Sequence, residues 1–403
     1  MFAQRLSMHS LWYWLSALLL ACWAFALPVD SLSSLRFGTV GLLQLPTRAT
    51  VLACALLVLF SGALQIRSPG GTRGHVVSLA VTSLSTLCSV LVWASMGQRL
   101  EVLGLLAQSL RLATPLALGA LAGLLCERCG VINIGIEGMM LTAACLGFTA
   151  ALYTASPWLG LGAAMLVGGV LAAGHAVLAI HGRMDQIISS MAVNILAVGL
   201  TGFLRRAVLL QNPRSTPETL PTWPVPFASD IPILGPIFFR HQPLVYLTWL
   251  LVPALHVLLY YTSWGLRTRA VGAAPQAADA LGISVVTLRY GNVIASGVLA
   301  GLGGAWFSLE TVGGFDDMMT GGKGFIALAA MIFGKWQPGG AFVGALVFGG
   351  VDALQIKLQI VGAQIPYQVL SMAPYVVTMA LLAGFIGRAV PPAALGRPYE
   401  RNM

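Results

Sequence analysis

Long apolar runs dominate this chain and set what it can fold into. They lie at about 12–29, 50–66, 75–97, 112–125, 138–155, 158–180, 187–209, 243–262, 291–310, 320–335, 341–360 and 368–387. A helix of about 20 apolar residues crosses a bilayer, and in hydrocarbon every backbone N–H and C=O needs an internal partner. Soluble domains carry roughly 25% charged residues, whereas this chain of 403 residues has 9% charged and 57% hydrophobic. The fold class is therefore all-α, a polytopic membrane helix bundle of about 10–12 segments. The runs at 112–125 and 320–335 are short enough to be expected as re-entrant or half helices. The first run follows Arg5 and is long for a signal peptide, so it reads as an uncleaved helix.

The stretch Glu127 to Leu141, ERCGVINIGIEGMML, interrupts these runs, with Asn133, Gly135, Glu137 and Gly138 crowded together. Each Gly weakens a helix, and an ionised Glu in hydrocarbon is costly unless paired or wetted. The stretch reads as a break between two membrane segments, lining a cavity or buried in protein. A short interfacial loop carrying two carboxylates is the other reading open to composition. A second Gly-rich, acidic break runs from Glu310 through Asp316 and Asp317 to Gly324. The hexapeptides ahead of the two breaks echo each other, GALAGL at 119–124 and GVLAGL at 297–302. Paired interrupted segments in two halves point to a transporter's binding site, although chance also yields short matches in an Ala/Gly/Leu-rich chain.

GVINIGIEGMML resembles the signature of the inner-membrane permease subunits of ABC importers for nucleosides and simple sugars. That family also holds the ribose and branched-chain amino-acid permeases, and the wording here is closest to the nucleoside branch. The likeness runs from about Ser109 to Arg388 in three ordered blocks: this one, Arg267 to Ile283, and Gly321 to Gln355. It implies a permease core at 101–390, additional hydrophobic segments at 1–100, a cytoplasmic coupling loop at 263–290 and a cytoplasmic tail at 391–403. It further implies import of a small polar solute by a dimer with a second permease subunit, a cytoplasmic ABC ATPase and an extracytoplasmic solute-binding protein or lipoprotein. The solute pathway is expected at Asn133, Gly135, Glu137 and Gly138, with Phe315, Asp316 and Phe325. Asn offers donors and acceptors and an ionised Glu accepts, which suits ribose hydroxyls or base edges.

In the loop Trp264–Arg289, Pro275 suits the first turn of a helix and Gly282 its end. Gln276, Ala277, Ala278, Asp279, Ala280 and Leu281 form a short helix-favouring run between them. The residues alone also permit an ordinary connecting loop. The loop resembles the coupling loop of ABC permeases, in which two alanines precede a Gly by a fixed spacing. The likeness implies ATPase contacts through Arg267, Arg269, Pro275, Gln276, Ala277, Ala278, Asp279, Leu281, Gly282 and Ile283. Ala273 and Ala274 depart from the Glu-Asn that often precedes the Pro in the nucleoside branch.

Gly321-Gly322-Lys323-Gly324 is not a phosphate loop, because a Walker A needs Gly where Asp317 stands and Ser or Thr where Gly324 stands. No nucleotide site is encoded, so no cofactor is expected and ATP belongs to a separate subunit. HExxH and GxSxG motifs are absent, which argues against an enzyme. The net charge of +9 is spread through loops and ends, which suits anionic lipid rather than nucleic acid. Arg267, Arg269 and Arg289 flank one loop, and Arg388, Arg397 and Arg401 follow the last run, so the expected orientation in a bacterial inner membrane is N-in and C-in. Cys126 and Cys129 form a CxxC with no second pair to complete a zinc site, and Cys129 stands where the family usually has Ser. Asp352, Gln355 and Gln359 make a polar stripe at helical spacing, open to a helix contact or to the pathway. An ion-coupled secondary transporter using the acidic breaks is the alternative to an ABC importer.

Overall fold

The computed structural model describes residues 8–38, 41–67, 72–97, 99–212, 217–360 and 390–400, together with 368, 371, 372, 376 and 379. Most of the expected span at 368–387 lies outside the described residues, as do Arg388 and Arg401. Two compact units form: Met1–Ala107, Asp230–Ile237 and Leu354–Ser371 make one, and Gln108–Ser229, Phe238–Ala353 and Met372–Met403 the other.

The first unit contains helices α1 (Met8–Ala26), α2 (Thr47–Arg67) and α3 (Thr72–Ala94). Strands β1 (Leu32–Phe37) and β2 (Gly41–Pro46) pair antiparallel, and β3 (Arg99–Glu101) adds to β1 in parallel. These strands are too short to register as apolar runs, so hydropathy did not mark the sheet. Ala17 and Leu20 of α1 pack on Ala55 and Val58 of α2. The buried Ser33 hydroxyl lies 2.6 Å from Thr47 Oγ1, tying β1 to the start of α2.

In chain order α4 (Val102–Arg128), α5 (Ile136–Thr154), α6 (Pro157–Ala176) and α7 (Gln186–Leu204) come next. They are followed by α8 (Leu234–Phe238), α9 (Pro243–Tyr261), α10 (Ser263–Ala273) and α11 (Pro275–Ala280). Last come α12 (Val285–Ala305), α13 (Lys323–Phe333) and α14 (Pro338–Ile360). Among the described residues, eight helices are long and apolar enough to cross a membrane, with shorter apolar stretches at Tyr13–Ala26, Leu84–Ala94 and Lys323–Phe333. The expected half helix at 112–125 is instead the second half of the 27-residue α4. Gln108, Ser109 and Arg111 in its first turns had hidden the rest from a hydropathy reading. The run at 320–335 does shorten, to the 11 residues of α13.

In the second unit α12 is the most enclosed span, 83% buried against 28% for α9. Its seam with α6 is centred on facing glycines. A Cβ on Gly168 would stand 2.2 Å from the Gly297 carbonyl oxygen, and one on Gly301 2.3 Å from that of Ala164. Small residues let two backbones touch in this way, which is how membrane helices gain packing where lipid gives no hydrophobic drive. π-helical turns end α6 (Val177–His181), α7 (Arg205–Leu209) and α12 (Trp306–Val312).

Candidate solute pathway and coupling surface

Both expected breaks exist but are shorter than expected, at 129–135 between α4 and α5 and at 313–322 between the π turn of α12 and α13, so Glu137 and Gly138 stand in the first turn of α5 at the edge of the first break. The first is stitched down by polar groups from neighbouring helices. The Ile132 N–H donates to Gln186 Oε1 at 2.7 Å, and the Ile132 carbonyl lies 2.9 Å from His175 Nε2. Asn194 spans the turn, accepting the Gly138 N–H at 2.8 Å and donating to the Ile134 carbonyl at 3.2 Å. Backbone groups freed from a helix inside a membrane need such partners. Gln186, His175, Asn194 and Ser296 were missed from sequence as parts of the site. Their only signal was polarity within apolar runs, or for Gln186 at the edge of one.

Asn133 is fully buried. Its Oδ1 accepts the Gly135 N–H at 3.0 Å and its Nδ2 lies 3.5 Å from Ser296 Oγ, so its reach is turned into the protein. Gly138 has no room for a side chain, since a Cβ would meet Asn194 Cα at 2.8 Å. Glu137 is half-buried and its carboxylate sits over the start of α13. Oε1 accepts from Thr320 Oγ1 at 2.6 Å and from the Gly322 N–H at 2.8 Å, and Oε2 accepts from the Gly324 N–H at 2.6 Å. A helix start leaves its first N–H groups unpaired and carries a partial positive charge, so a carboxylate there is favourable. The two breaks, 183 to 187 residues apart along these bonds, are thereby one structure.

Lys323, the first residue of α13, pairs with Asp352 of α14, which offsets a cation placed at the wrong end of a helix dipole. This contact settles part of the polar stripe as a link between helices. Phe315 is buried, Phe325 is 43% exposed, and Asp316 reaches toward solvent. Arg205, in the π turn after α7, grips Asp316 at 2.7 Å and Asp317 at 3.0 Å. Glu310 repeats the theme of Glu137: almost fully buried, it accepts the Leu244 N–H at 3.0 Å in the first turn of α9.

The third sequence block joins the far end of α4. Trp336 Nε1 donates to Glu127 Oε2 at 2.6 Å, and Arg128 Nε donates to the Trp336 carbonyl at 2.8 Å. Arg128 also donates to Tyr260 Oη at 2.9 Å, and Arg269 lies 4.9 Å from the centroid of the same ring. Cys129 beside them is fully buried, which pushes its thiol up to about 12.

The stretch 263–290 is more helical than a connecting loop: α10 fills its first part and α12 begins at Val285, and between them the expected short helix forms with Pro275 at its first position. Its end is a turn in which the Gly282 N–H bonds the Asp279 carbonyl at 2.8 Å and the Ile283 N–H that of Ala278 at 3.1 Å. Gly282 has φ +79°, a left-handed conformation that costs an L side chain about 1–2 kcal/mol. Ala278 is 3% exposed and packs with Val271 and Val285, fixing the helix base. Gln276, Ala277 and Leu281 face outward, Leu281 at 82% exposure, and Arg267 is exposed as well. Asp279 and Ile283 are half-buried and line, with Gly282, His181, Arg183 and Tyr399, a groove of about 470 Å³.

Helices long and apolar enough to cross a membrane, two helix breaks tied together through Glu137, and a short helix between α10 and α12 together have the build of a transport permease. The family model described as branched-chain amino acid transport system / permease component matches residues 105–387. The guanosine ABC transporter permease protein NupQ of Bacillus subtilis is 42% identical over 306 residues, 72% of this chain and 94% of that protein. The nucleoside ABC transporter permease protein NupC of Lactococcus lactis is 39% identical over 311 residues, 74% of this chain and 97% of that one. The putative glucose ABC transporter permease protein TsgC13 of Haloferax volcanii is 35% identical over 325 residues, 74% of this chain and 98% of that one. No solved structure matches. The chain belongs to this family of ABC transporter permease components, as a multi-pass membrane protein.

Proposed function

We propose that the solute is a nucleoside, and that this permease brings it into the cytoplasm of a bacterium across the inner membrane. The observation that carries this is the likeness to NupQ and NupC, which cover almost their full length and are named for guanosine and for nucleosides. A simple sugar is the second reading, favoured by the likeness to TsgC13. The permease does no chemistry of its own; a cytoplasmic ATPase docks on α11 and drives it. A second permease subunit and an extracytoplasmic binding protein or lipoprotein complete the importer, with both termini of this chain inside. The exposed Leu281, Gln276 and Ala277 on a rigid, Pro-started helix support α11 as the docking knob.

In this reading the pathway wall is formed by Glu137, Phe325 and Asp316, which keep some exposure, while Asn133, Gly135, Gly138 and Phe315 hold that wall in shape from behind. Phe325 offers a ring face to a base, and Glu137 retains lone pairs beyond the three donors it already accepts. Solute must bind the two access states unequally for ATP to move it. Uptake of radiolabelled guanosine and glucose into cells lacking their own importers tests the assignment. Guanosine uptake that vanadate abolishes is expected; glucose uptake alone would replace the nucleoside with a sugar.

A further inference from the structure

The residues at 390–400 lie beyond the 105–387 that the family model matches, yet they are laid across the loop that carries α11. The Ala394 N–H donates to the Gly272 carbonyl at 3.0 Å, at the end of α10. The Gly396 N–H donates to the Gly130 carbonyl at 3.0 Å, within the first break. Gly396 takes φ +74°, and a Cβ on it would press on Ile132 Cδ1 at 2.9 Å, so this crossing is tight. The Arg397 carbonyl accepts from Arg289 Nη1 at 3.2 Å. Arg289 is 1% exposed, and its Nε and Nη2 make no hydrogen bond among the described residues, so the Arg397 carbonyl supplies a hydrogen bond that a buried cation needs. Tyr399 packs into the cluster of Val271, Ala278 and Val285 at the base of α11. Glu400 then pairs with Arg183 at 2.7 Å, an exposed contact that adds little.

We propose that this segment is a strap that positions the coupling helix against the first break, with Tyr399 and Gly396 as its two working contacts. A push on α11 moves Ala278 and with it the cluster of Val271, Ala278 and Val285 on which Tyr399 packs. The strap carries that displacement to Gly130 and Ile132 through Gly396. Ile132 is bonded to Gln186 and His175, and five residues further along the chain Glu137 holds the start of α13. The strap therefore gives α11 a route to the break besides the direct one through α12. The inference rests on the reading of α11 as the docking helix.

The test uses the whole transporter with its ATPase and binding protein in proteoliposomes, with guanosine as the probe. Variants are Tyr399→Ala, Tyr399→Phe, deletion of 390–403, and Gly282→Arg as the docking control. The strap variants Tyr399→Ala and the deletion should keep the ATPase bound and hydrolysing while guanosine moved per ATP falls about tenfold, a common size for coupling between sites. Tyr399→Phe, which keeps the packed ring, should restore the ratio. A merely structural strap would lower the amount of folded complex and leave the ratio unchanged, and an unchanged ratio in Tyr399→Ala overturns the proposal. Loss of the ATPase from the strap variants overturns it too, since that would make the strap a docking element. Gly282→Arg separates the two readings: if it keeps its ATPase, α11 is not the docking helix, whatever the strap does.

Discussion

Glu137 Oε2 accepts the Gly324 N–H at 2.6 Å, so the carboxylate of the first break is the N-terminal cap of the helix that follows the second. Thr320 and Gly322 share the same carboxylate, and a Cβ on Gly324 would fall 2.6 Å from Glu137 Cα. The residue the sequence offered as a solute ligand is thus also a keystone of the fold.

Removing that keystone should cost stability first. Glu137→Ala strands one hydroxyl and two amide donors, at about 1–3 kcal/mol for each that stays buried. Thermal unfolding in detergent should show a large loss for Glu137→Ala and for Gly324→Ala, and a smaller one for Glu137→Gln. If Glu137→Gln folds normally and loses guanosine uptake per complex, the carboxylate also serves the solute. Normal stability in Glu137→Ala would show that the cap is dispensable.

Docking is tested at the base and tip of α11. Ala278→Asp forces a carboxylate between Val271 and Val285, and Gly282→Arg puts a bulky side chain at a left-handed position. Both should abolish ATPase co-purification at normal membrane levels of the permease. Unimpaired assembly in both variants would exclude α11 as the contact.

The Arg205 clasp separates transport from stability. Its partners are exposed, so the pair contributes at most about 1 kcal/mol to folding. Asp316→Asn with Asp317→Asn should leave the unfolding temperature nearly unchanged. Guanosine uptake should nonetheless fall several-fold, because the second break is then untethered from α7. Equal uptake would leave the clasp without a role in transport.

Cys129 makes a pH prediction. A thiol whose folded pKa is raised stays protonated in the native protein while the unfolded chain ionises, so stability is lost as pH climbs above the unfolded value. With the folded thiol near 12 and the ordinary value 9.0, the window is pH 9 to 12. Stability should decline steadily across that window. Cys129→Ser should flatten that part of the unfolding curve, and Cys129 should react with maleimide at pH 8 far more slowly than the exposed Cys22. Identical slopes for both proteins above pH 9 would contradict the burial argument.

Orientation can be read by labelling in a background lacking Cys22. A cysteine at Phe227, 93% exposed, should be reached from outside intact cells, and one at the exposed Ala274 should not. The reverse pattern would place α11 on the wrong face for an ATPase.

Much of this was legible in the residues. Apolar runs marked the bundle, Pro275 and Gly282 bounded α11, crowded Gly, Asn and Glu marked the first break, and Gly with acidic residues marked the second. What could not be read was which groups meet. Nothing local to Glu137 says that its partners lie at Thr320 to Gly324, and nothing local to Arg205 names Asp316. Those pairings are fixed by helix packing over long sequence separations. Asn194 and His175 look like stray polar residues until the carbonyls and amides of the break are seen to need them. The length of α4 was misjudged because average hydropathy falls wherever a few polar side chains share a turn.

The bare seam between α6 and α12 has a mechanical meaning. Interdigitated side chains act as gear teeth, and one helix can pass another only by lifting each knob from its hole. Where Gly168 faces Gly297 and Gly301 the backbones themselves touch, and the flanking side chains of Ala172, Ile294 and Val298 close over the contact. α12 leads through its π turn into the second break, so the position of that break is set by how closely this seam can pack. A single methyl group added at Gly168, Gly297 or Gly301 would have to push the two helices apart, so the closeness of this seam depends on those three positions staying bare.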